Sequence, residues 1–378
     1  MDYLNACRGE FGGRVEEDRI AHYVNLVAGD PVSPIHLYRL AKACLDGGNV
    51  SLWRRGVTIA TTRPHETPRS ICDRGDALLR LDEWSAWHDL EWRIYQPDWS
   101  IANASWQSWT RKRWDGVEDL TRRILLITAQ GGFGDALWST RFAESIAGRA
   151  REVVWDTAPD LLELMRHTIG HLVQVETVGG DSTSLEYDRY VYAMSLPYIV
   201  GMVPAFVRRS APAPATSSTT RARIGLAWAC SMSGLDHLER SIPLSALAPM
   251  FWRPDVEWVS LQVGPRSDDA NYYPSVTKLH PPLRTFVETA NVMAGLDGVV
   301  TVDTSICHLA GTLGLPTVTL LRFVCDHKWG LDDTTPWYPT MRLIRQHTPG
   351  DWASVVDGVR RSLDARWWEN TNALSLSL

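Results

Sequence analysis

The chain has 378 residues, 44% of them hydrophobic, enough apolar material for more than one core and consistent with two or three domains. Its net charge of -6 argues against broad nucleic-acid affinity, although Arg111, Lys112, Arg113, Arg122 and Arg123 form a local basic cluster of the kind that is usually a solvated face. No apolar run reaches the ~20 residues of a membrane span, the N-terminus lacks a signal-peptide core, and Cys7, Cys44, Cys72, Cys230, Cys307 and Cys325 show no CxxC or zinc-like spacing, so a cytoplasmic protein with reduced thiols and no structural metal is expected.

Residues 1–110 show no strand alternation. Helical stretches such as 35–45 and 77–95 are separated by Gly47-Gly48 and Arg63-Pro64. No clean 34-residue period emerges, so a degenerate pair of tetratricopeptide-like units and a generic helical cap both remain open. Tryptophan is abundant at 18, and Trp84, Trp87, Trp92, Trp99, Trp106, Trp109 and Trp114 crowd into one stretch. Aromatic platforms bind sugars and stack on bases, but the plainer expectation is that these rings seal the helical region onto the domain that follows.

In the second piece, 111–209, residues 123–128 read as an apolar strand. Gln130-Gly131-Gly132-Phe133-Gly134-Asp135 reads as a turn, and Leu137, Phe142 and Ile146 continue with helical spacing. The glycines loosely match a dinucleotide fingerprint, whose acidic residue would be Asp156 after the strand candidate 153–155. A further strand candidate is 190–192. The Ser/Pro/Ala/Thr-rich run at 210–221 reads as an interdomain linker.

The third piece, 222–345, opens with a strand at 223–228 and repeats strand signals at 256–261 and 298–302. After Val299, Val300 and Val302 the chain breaks at Asp303-Thr304-Ser305. It then runs helically from Ile306 to Leu313, turns at Gly314 and re-enters a strand after Pro316. Free N–H groups at the start of such a helix, flanked by hydroxyl residues and with His308 on the first turn, form an anion site. Alone, the same residues would equally suit a capped βαβ unit with a core histidine. The tail, 346–378, spaces Trp352, Val355, Val356, Val359, Leu363 and Trp367 as one helix face.

Together these motifs resemble the glycosyltransferases related to the bacterial heptosyltransferases (glycosyltransferase family 9-like), in the branch associated with tetratricopeptide-type helices. The resemblance spans 84–363 and rests on Glu91-Trp92-Arg93, Trp114-Asp115-Gly116, Gln130 to Asp135, Ile224 to Trp228, Arg240-Ser241, Ser260-Leu261-Gln262, Val302-Asp303-Thr304 with His308, and Pro336 to Pro339. It implies an α/β fold of the GT-B class: two Rossmann-like domains facing a cleft, acceptor-binding at 111–209 and nucleotide-sugar-binding at 222–345. An N-terminal α-helical region would precede them, and a C-terminal helix would cross back onto the first domain. Ala129 departs from the pattern, since relatives place a glutamate before Gln-Gly, and this puts in doubt the polar contact that residue would make near the acceptor.

The implied activity is transfer of a hexosyl or heptosyl group, with inversion and without a metal or other cofactor. The sugar would pass from a nucleoside-diphosphate sugar to a hydroxyl of a glycan, lipid-linked (lipopolysaccharide) or protein acceptor. Arg240 would hold the diphosphate, unless it only forms a surface ion pair with Asp236 or Glu239. Thr304, Ser305 and His308 would complete the phosphate contacts. Asp303 would hold the turn or bind the sugar, because a carboxylate repels a diphosphate. Asp135 would be the general base, with helix capping as its plainer role. Gln262 would reach the donor, and Gln130, Gly132 and Gly134 would face the acceptor. Trp329, Trp337 and Tyr338 would border the donor cleft. A homo-oligomer stays open. Two other classes compete: a GT-B-like nucleotide-sugar epimerase or NAD-type Rossmann dehydrogenase, and a non-catalytic helical-repeat scaffold.

Overall fold

The computed structural model describes residues 2–9, 17–96, 112–177, 185–201, 221–231 and 237–369. The expected linker as far as residue 220, Trp99, Trp106, Trp109, Arg111 and Asp236 lie outside the described residues. The chain divides into two compact units, one of 1–107 with 323–331 and 347–351, the other of 108–322, 332–346 and 352–378.

The first unit is helical. Its helices Asp2–Gly9, Glu17–Gly29, Pro34–Asp46, Val50–Thr61 and Pro68–Leu79 bury Ile20, Val24, Leu40, Cys44, Trp53 and Val57 in one core. Local sequence explains the starts. Ser33, Asn49 and Thr67 accept the backbone N–H groups of His36, Leu52 and Ser70, and Pro34 and Pro68 occupy first-turn positions where the missing donor costs nothing. The single helical stretch expected at 77–95 is instead broken after Leu79. Asp82 takes a positive φ of 62°, and short turns follow at Trp84–Ala86, Trp87–Leu90 and Glu91–Tyr95.

A segment distant in sequence completes this unit. Phe323, Val324 and Leu331 pack on the helical core, and Trp329 is buried. Arg80 donates to Asp76 at 3.0 Å and to the Cys325 carbonyl at 2.5 Å, while His327 Nδ1 lies 3.2 Å from the other Asp76 oxygen.

The second unit holds two sheets whose strands are all parallel. The first comprises β1 (Leu120–Thr128), β2 (Ala150–Asp156), β3 (Gln174–Glu176) and β4 (Arg189–Tyr192) in the order β3-β2-β1-β4. The second comprises β5 (Ala222–Ala227), β6 (Val256–Ser260), β7 (Val276–Thr277), β8 (Gly298–Val302), β9 (Thr317–Leu321) and β10 (Met341–Arg345) in the order β10-β9-β8-β5-β6-β7. Every residue of β8 and β9 is buried, which is why these strands read as continuous apolar and threonine runs rather than as alternation. In both sheets the chain steps outward in one direction and then restarts on the other side of the first strand. This reversal leaves a crevice at the strands' C-terminal ends, the place where open α/β sheets bind ligands.

The structure shows the expected α/β class, with two Rossmann-like parallel sheets and N-terminal helices. Helix Trp352–Asp364 turns Val355, Val356, Val359 and Leu363, with Trp367 and Trp368 beyond it, into the second sheet's own core beside Ile224, Val300, Val318 and Leu320. Its apolar face packs there. Among the described residues, no helix is long and apolar enough to cross a membrane.

Candidate active site

The break after β8 forms as its residues require. Thr304 is extended, and its hydroxyl accepts Ile306 N–H at 3.1 Å, starting helix Ser305–Thr312. Gly314 takes a φ of 69° at the far end and lets the chain turn into β9. Thr304 and Ser305 thus present a helix start at the C-terminal edge of the second sheet, beside the β5/β8 reversal.

Arg240 reaches the same edge from helix His237–Arg240. Ser241 Oγ donates to the His237 carbonyl at 2.6 Å and accepts Cys230 N–H at 3.1 Å, clipping this short helix to the segment that leaves β5. From there Arg240 donates to the Asp303 carbonyl at 2.5 Å and lies 3.7 Å from its carboxylate. The ion pair with Glu239 that the sequence allowed is replaced, because Glu239 meets Arg322 at 2.5 Å. Two residues 63 positions apart are brought together, the Asp303 carbonyl receiving the arginine.

Gln262 has a structural duty. Its carbonyl oxygen accepts from Trp228 and Ala229 N–H at 3.0 and 2.9 Å, and its amide donates to the Ala229 and Val263 carbonyls, both at 3.1 Å. All four of its hydrogen-bonding positions therefore tie the end of β5 to the end of β6. It remains on the cavity wall, but as a clip.

The first glycine-rich turn follows β1. Gln130 is partly buried, Gly131 takes a φ of 82°, and helix Phe133–Ser139 begins after Gly132. Asp135 occupies the third helical position, not the cap itself, and accepts Gly132 N–H at 3.0 Å. A Cβ at Gly131 would come within 2.2 Å of that carboxylate, and one at Gly134 within 2.7 Å of His308 Cδ2, whereas one at Gly132 would meet nothing within 4 Å. The turns after β1 and β8 are thus in contact through Gly134 and His308.

Behind this contact lies a group that sequence reasoning missed. Arg141 donates to the Trp138 and Trp337 carbonyls at 2.8 and 2.7 Å, and its guanidinium lies 5.5, 5.1 and 4.6 Å from the rings of Trp138, Trp337 and Tyr338. The Tyr338 hydroxyl lies 2.9 Å from His308 Nδ1. Burial pushes the Tyr338 phenol up to about 12, so it keeps its proton. The clue in the sequence was an arginine among the apolar positions Leu137, Trp138 and Phe142. Trp337 and Tyr338, expected at the cleft border, are fully buried, Tyr338 against His308, while Trp329 belongs to the helical unit.

A cavity of about 560 Å³ opens at the ends of β5, β6 and β8. Its polar wall includes Gln262, Arg266, Arg284, Thr304 and Ser305, and its apolar wall Val263, Pro265, Leu283 and Phe286. Phe133 and Asp160 close it from the first sheet's side, with Phe133 edge-on to Phe286 at 5.1 Å. Asp156, at the end of β2, does not line it.

Asp303, Cys307 and His308 bring one ligand atom each within 4.8 Å of one another, so this set was weighed as a metal site. It fits a cation poorly. Arg240 already brings a positive charge to the carboxylate, the Cys307 thiol donates to the Thr304 carbonyl at 2.9 Å, and burial pushes that thiol well above its ordinary range. The imidazole Nδ1 is engaged by Tyr338.

A crevice at the reversal of a Rossmann-ordered sheet, with a helix start and an arginine at its edge, is a nucleotide-binding class of site. Residues 270–350, which include the turn at Asp303 and both Trp337 and Tyr338, match the family Glycosyltransferase family 9 (heptosyltransferase). No curated protein matches the chain. Among solved structures it is similar to E. coli heptosyltransferase WaaC with ADP-2-deoxy-2-fluoro heptose, at 12% identity over 64% of this chain and 99% of that one, TM-score 0.45. It is also similar to the glycosyl transferase family 9 protein from Veillonella parvula, at 11% identity over 68% and 100%, TM-score 0.46. A third is the iron-containing dodecameric glycosyltransferase TibC from enterotoxigenic E. coli, at 13% identity over 67% and 79%, TM-score 0.46. Likenesses this distant say nothing of substrate, metal or assembly.

Proposed function

We propose that the chain is an inverting glycosyltransferase that uses a nucleoside-diphosphate sugar. The observation that carries this reading is the convergence of Arg240 on Asp303 beside the start of helix Ser305–Thr312, where Thr304 and Ser305 line the cavity and the helix lies within the family-matched segment. A diphosphate there would meet a forked, permanently charged donor and the first backbone N–H groups of the helix. Val263, Pro265, Leu283 and Phe286 would flank the nucleoside.

In the reaction, the acceptor oxygen attacks the anomeric carbon from the side opposite the leaving group. The bond from that carbon to the β-phosphate oxygen breaks, its electron pair stays on the departing nucleoside diphosphate, and the acceptor proton passes to the Asp135 carboxylate. Arg240 stabilises the growing phosphate charge, and no metal is called for. Gln130, Gly132 and Gly134 face the acceptor, a hydroxyl of a glycan, lipid-linked or protein substrate. The helical unit is read as that of the tetratricopeptide-associated branch, and the enzyme as cytoplasmic.

The test is isothermal calorimetry with ADP, UDP and GDP, followed by a screen of the corresponding nucleotide sugars for thermal stabilisation. A ligand at a hundredfold over its Kd raises stability by ~2.7 kcal/mol. Failure of every nucleoside diphosphate to bind would sink the proposal.

A further inference from the structure

We infer that Cys7 and Cys44 are a redox pair, two thiols that a small-molecule disulfide oxidises to one bond, tying helix Asp2–Gly9 covalently to helix Pro34–Asp46. The two sulfurs lie 3.6 Å apart although 37 positions separate them in sequence, and both side chains are fully buried in the core of the helical unit. Bonded sulfurs stand at about 2.05 Å, so an approach of ~1.5 Å separates the contact from the bond.

The pairing is held in register by the way the short helix docks. Tyr3 and Cys7, four residues apart, lie one turn apart on the same side of it and are 5% and 0% exposed. Tyr3 fills the space over Gly56 of helix Val50–Thr61, where an added Cβ would run into its hydroxyl, and the Arg55 guanidinium lies 5.8 Å from its ring. These contacts fix where the helix sits and therefore where Cys7 meets Cys44. Two aliphatic side chains would fill the same space, and what a pair of sulfurs adds is chemistry.

Buried thiols do not meet an oxidant while the helix is docked. With eight residues, helix Asp2–Gly9 is too short to be stable on its own, and it opens more readily than the thirteen- and twelve-residue helices it packs with. Opening carries Cys7 out. Its thiolate attacks one sulfur of a disulfide RSSR, a mixed disulfide forms on Cys7, and RS⁻ leaves. On redocking, the Cys44 thiolate attacks the Cys7 sulfur, the mixed bond breaks, and the second RS⁻ leaves. The two protein thiols lose two electrons and two protons, RSSR gains both, and two RSH are released. In a reducing compartment a bond of this kind is transient and reports the thiol balance. While it lasts it closes a long loop and holds the helix down. None of this rests on the sugar-transfer reading.

The experiment incubates the folded full chain with oxidised glutathione at mildly alkaline pH, blocks the remaining thiols by alkylation, and reads intact mass, peptide map and Tm. The expected product is two hydrogen atoms lighter than the reduced chain, has Cys7 joined to Cys44, and melts at a higher Tm that returns to the starting value with dithiothreitol. In Cys44→Ala the reaction should stop halfway, with one glutathione on Cys7. Glutathione that stays on Cys7 in the wild type, or Cys7 and Cys44 both recovered alkylated, would overturn the inference. A Cys7–Cys44 bond that lowers the Tm would overturn it as well, because the bond would then form only away from the docked position. If Cys44→Ala fails to fold, the wild-type map and Tm decide.

Discussion

Gly134 and His308, which lie at the starts of helices that follow strands of different sheets, touch so closely that a single methyl group on the glycine would stand 2.7 Å from the histidine Cδ2. The contact shows why two glycines of one turn, both expected on the acceptor side, have different duties. Gly132 has an ordinary φ of -92° and open space around its Cα, whereas Gly134 is held small by a ring.

Gly134→Ala should fold with a lower Tm, because overpacking costs about 1–3 kcal/mol, and should bind nucleoside diphosphates more weakly as the His308 ring is displaced. Gly132→Ala should do neither. Thermal denaturation and calorimetry on the pair check this, and equal behaviour of the two variants would show that the Gly134–His308 contact does not matter.

Arg240→Ala should lose on the order of 1.5 to 3 kcal/mol of nucleoside-diphosphate affinity, the worth of one charge-assisted contact. Arg240→Lys should recover only part of it. A lysine keeps the charge but lacks the fork that lets one side chain bond the Asp303 carbonyl while facing a phosphate. Calorimetric affinity within error of wild type in Arg240→Ala would remove the diphosphate from this edge of the sheet.

Much of the second unit was legible because parallel strands buried on both faces leave long apolar runs: β1, β2, β5, β6, β8 and β9 lie where those runs are. The strands β3 and β7, with three and two residues, are too short to leave a pattern and were not seen. The site was legible in its turns and opaque in its pairings. Asp303-Thr304-Ser305 and Gly131 to Asp135 stand out by composition, but no local signal says that Arg240 bonds residue 303 or that Tyr338 reaches His308. Gln262 carries a duty that no local signal shows, since its amide ties the ends of two strands through backbone. The segment 323–331 was read as part of the third piece, because the helical core that it covers is some 240 residues away in sequence.

That segment gives the helical unit a pH dependence. Burial raises the Asp76 carboxyl, but the Arg80 charge and the His327 contact outweigh it and hold the group well below the usual carboxylate range. A carboxyl depressed in the folded state stabilises the fold at every pH above its unfolded value, about 3.9, and that contribution fades as pH falls below it. Asp76→Asn should therefore lower the Tm at pH 7, and the gap from wild type should narrow below about pH 4. A gap that stays constant from pH 7 to pH 3 would show that the Asp76 carboxylate is not what ties residues 323–331 down.

Asp135 gives the sharpest separation between an enzyme and a binding protein, because its structural and chemical duties can be divided by one atom. The carboxylate accepts Gly132 N–H at 3.0 Å from the third helical position, and an asparagine oxygen can accept the same bond. What asparagine lacks is the basicity to take a proton as the sugar–oxygen bond forms. Asp135→Asn should then keep its Tm and its nucleoside-diphosphate affinity, while transfer falls by roughly 10²-fold or more. Gly131 limits other replacements, since the space beside it is filled by this same side chain. Donor binding and turnover should be measured on one preparation, once a donor and acceptor are in hand. Full turnover would refute the base assignment, and a parallel loss of Tm and turnover would show that the residue chiefly holds the turn.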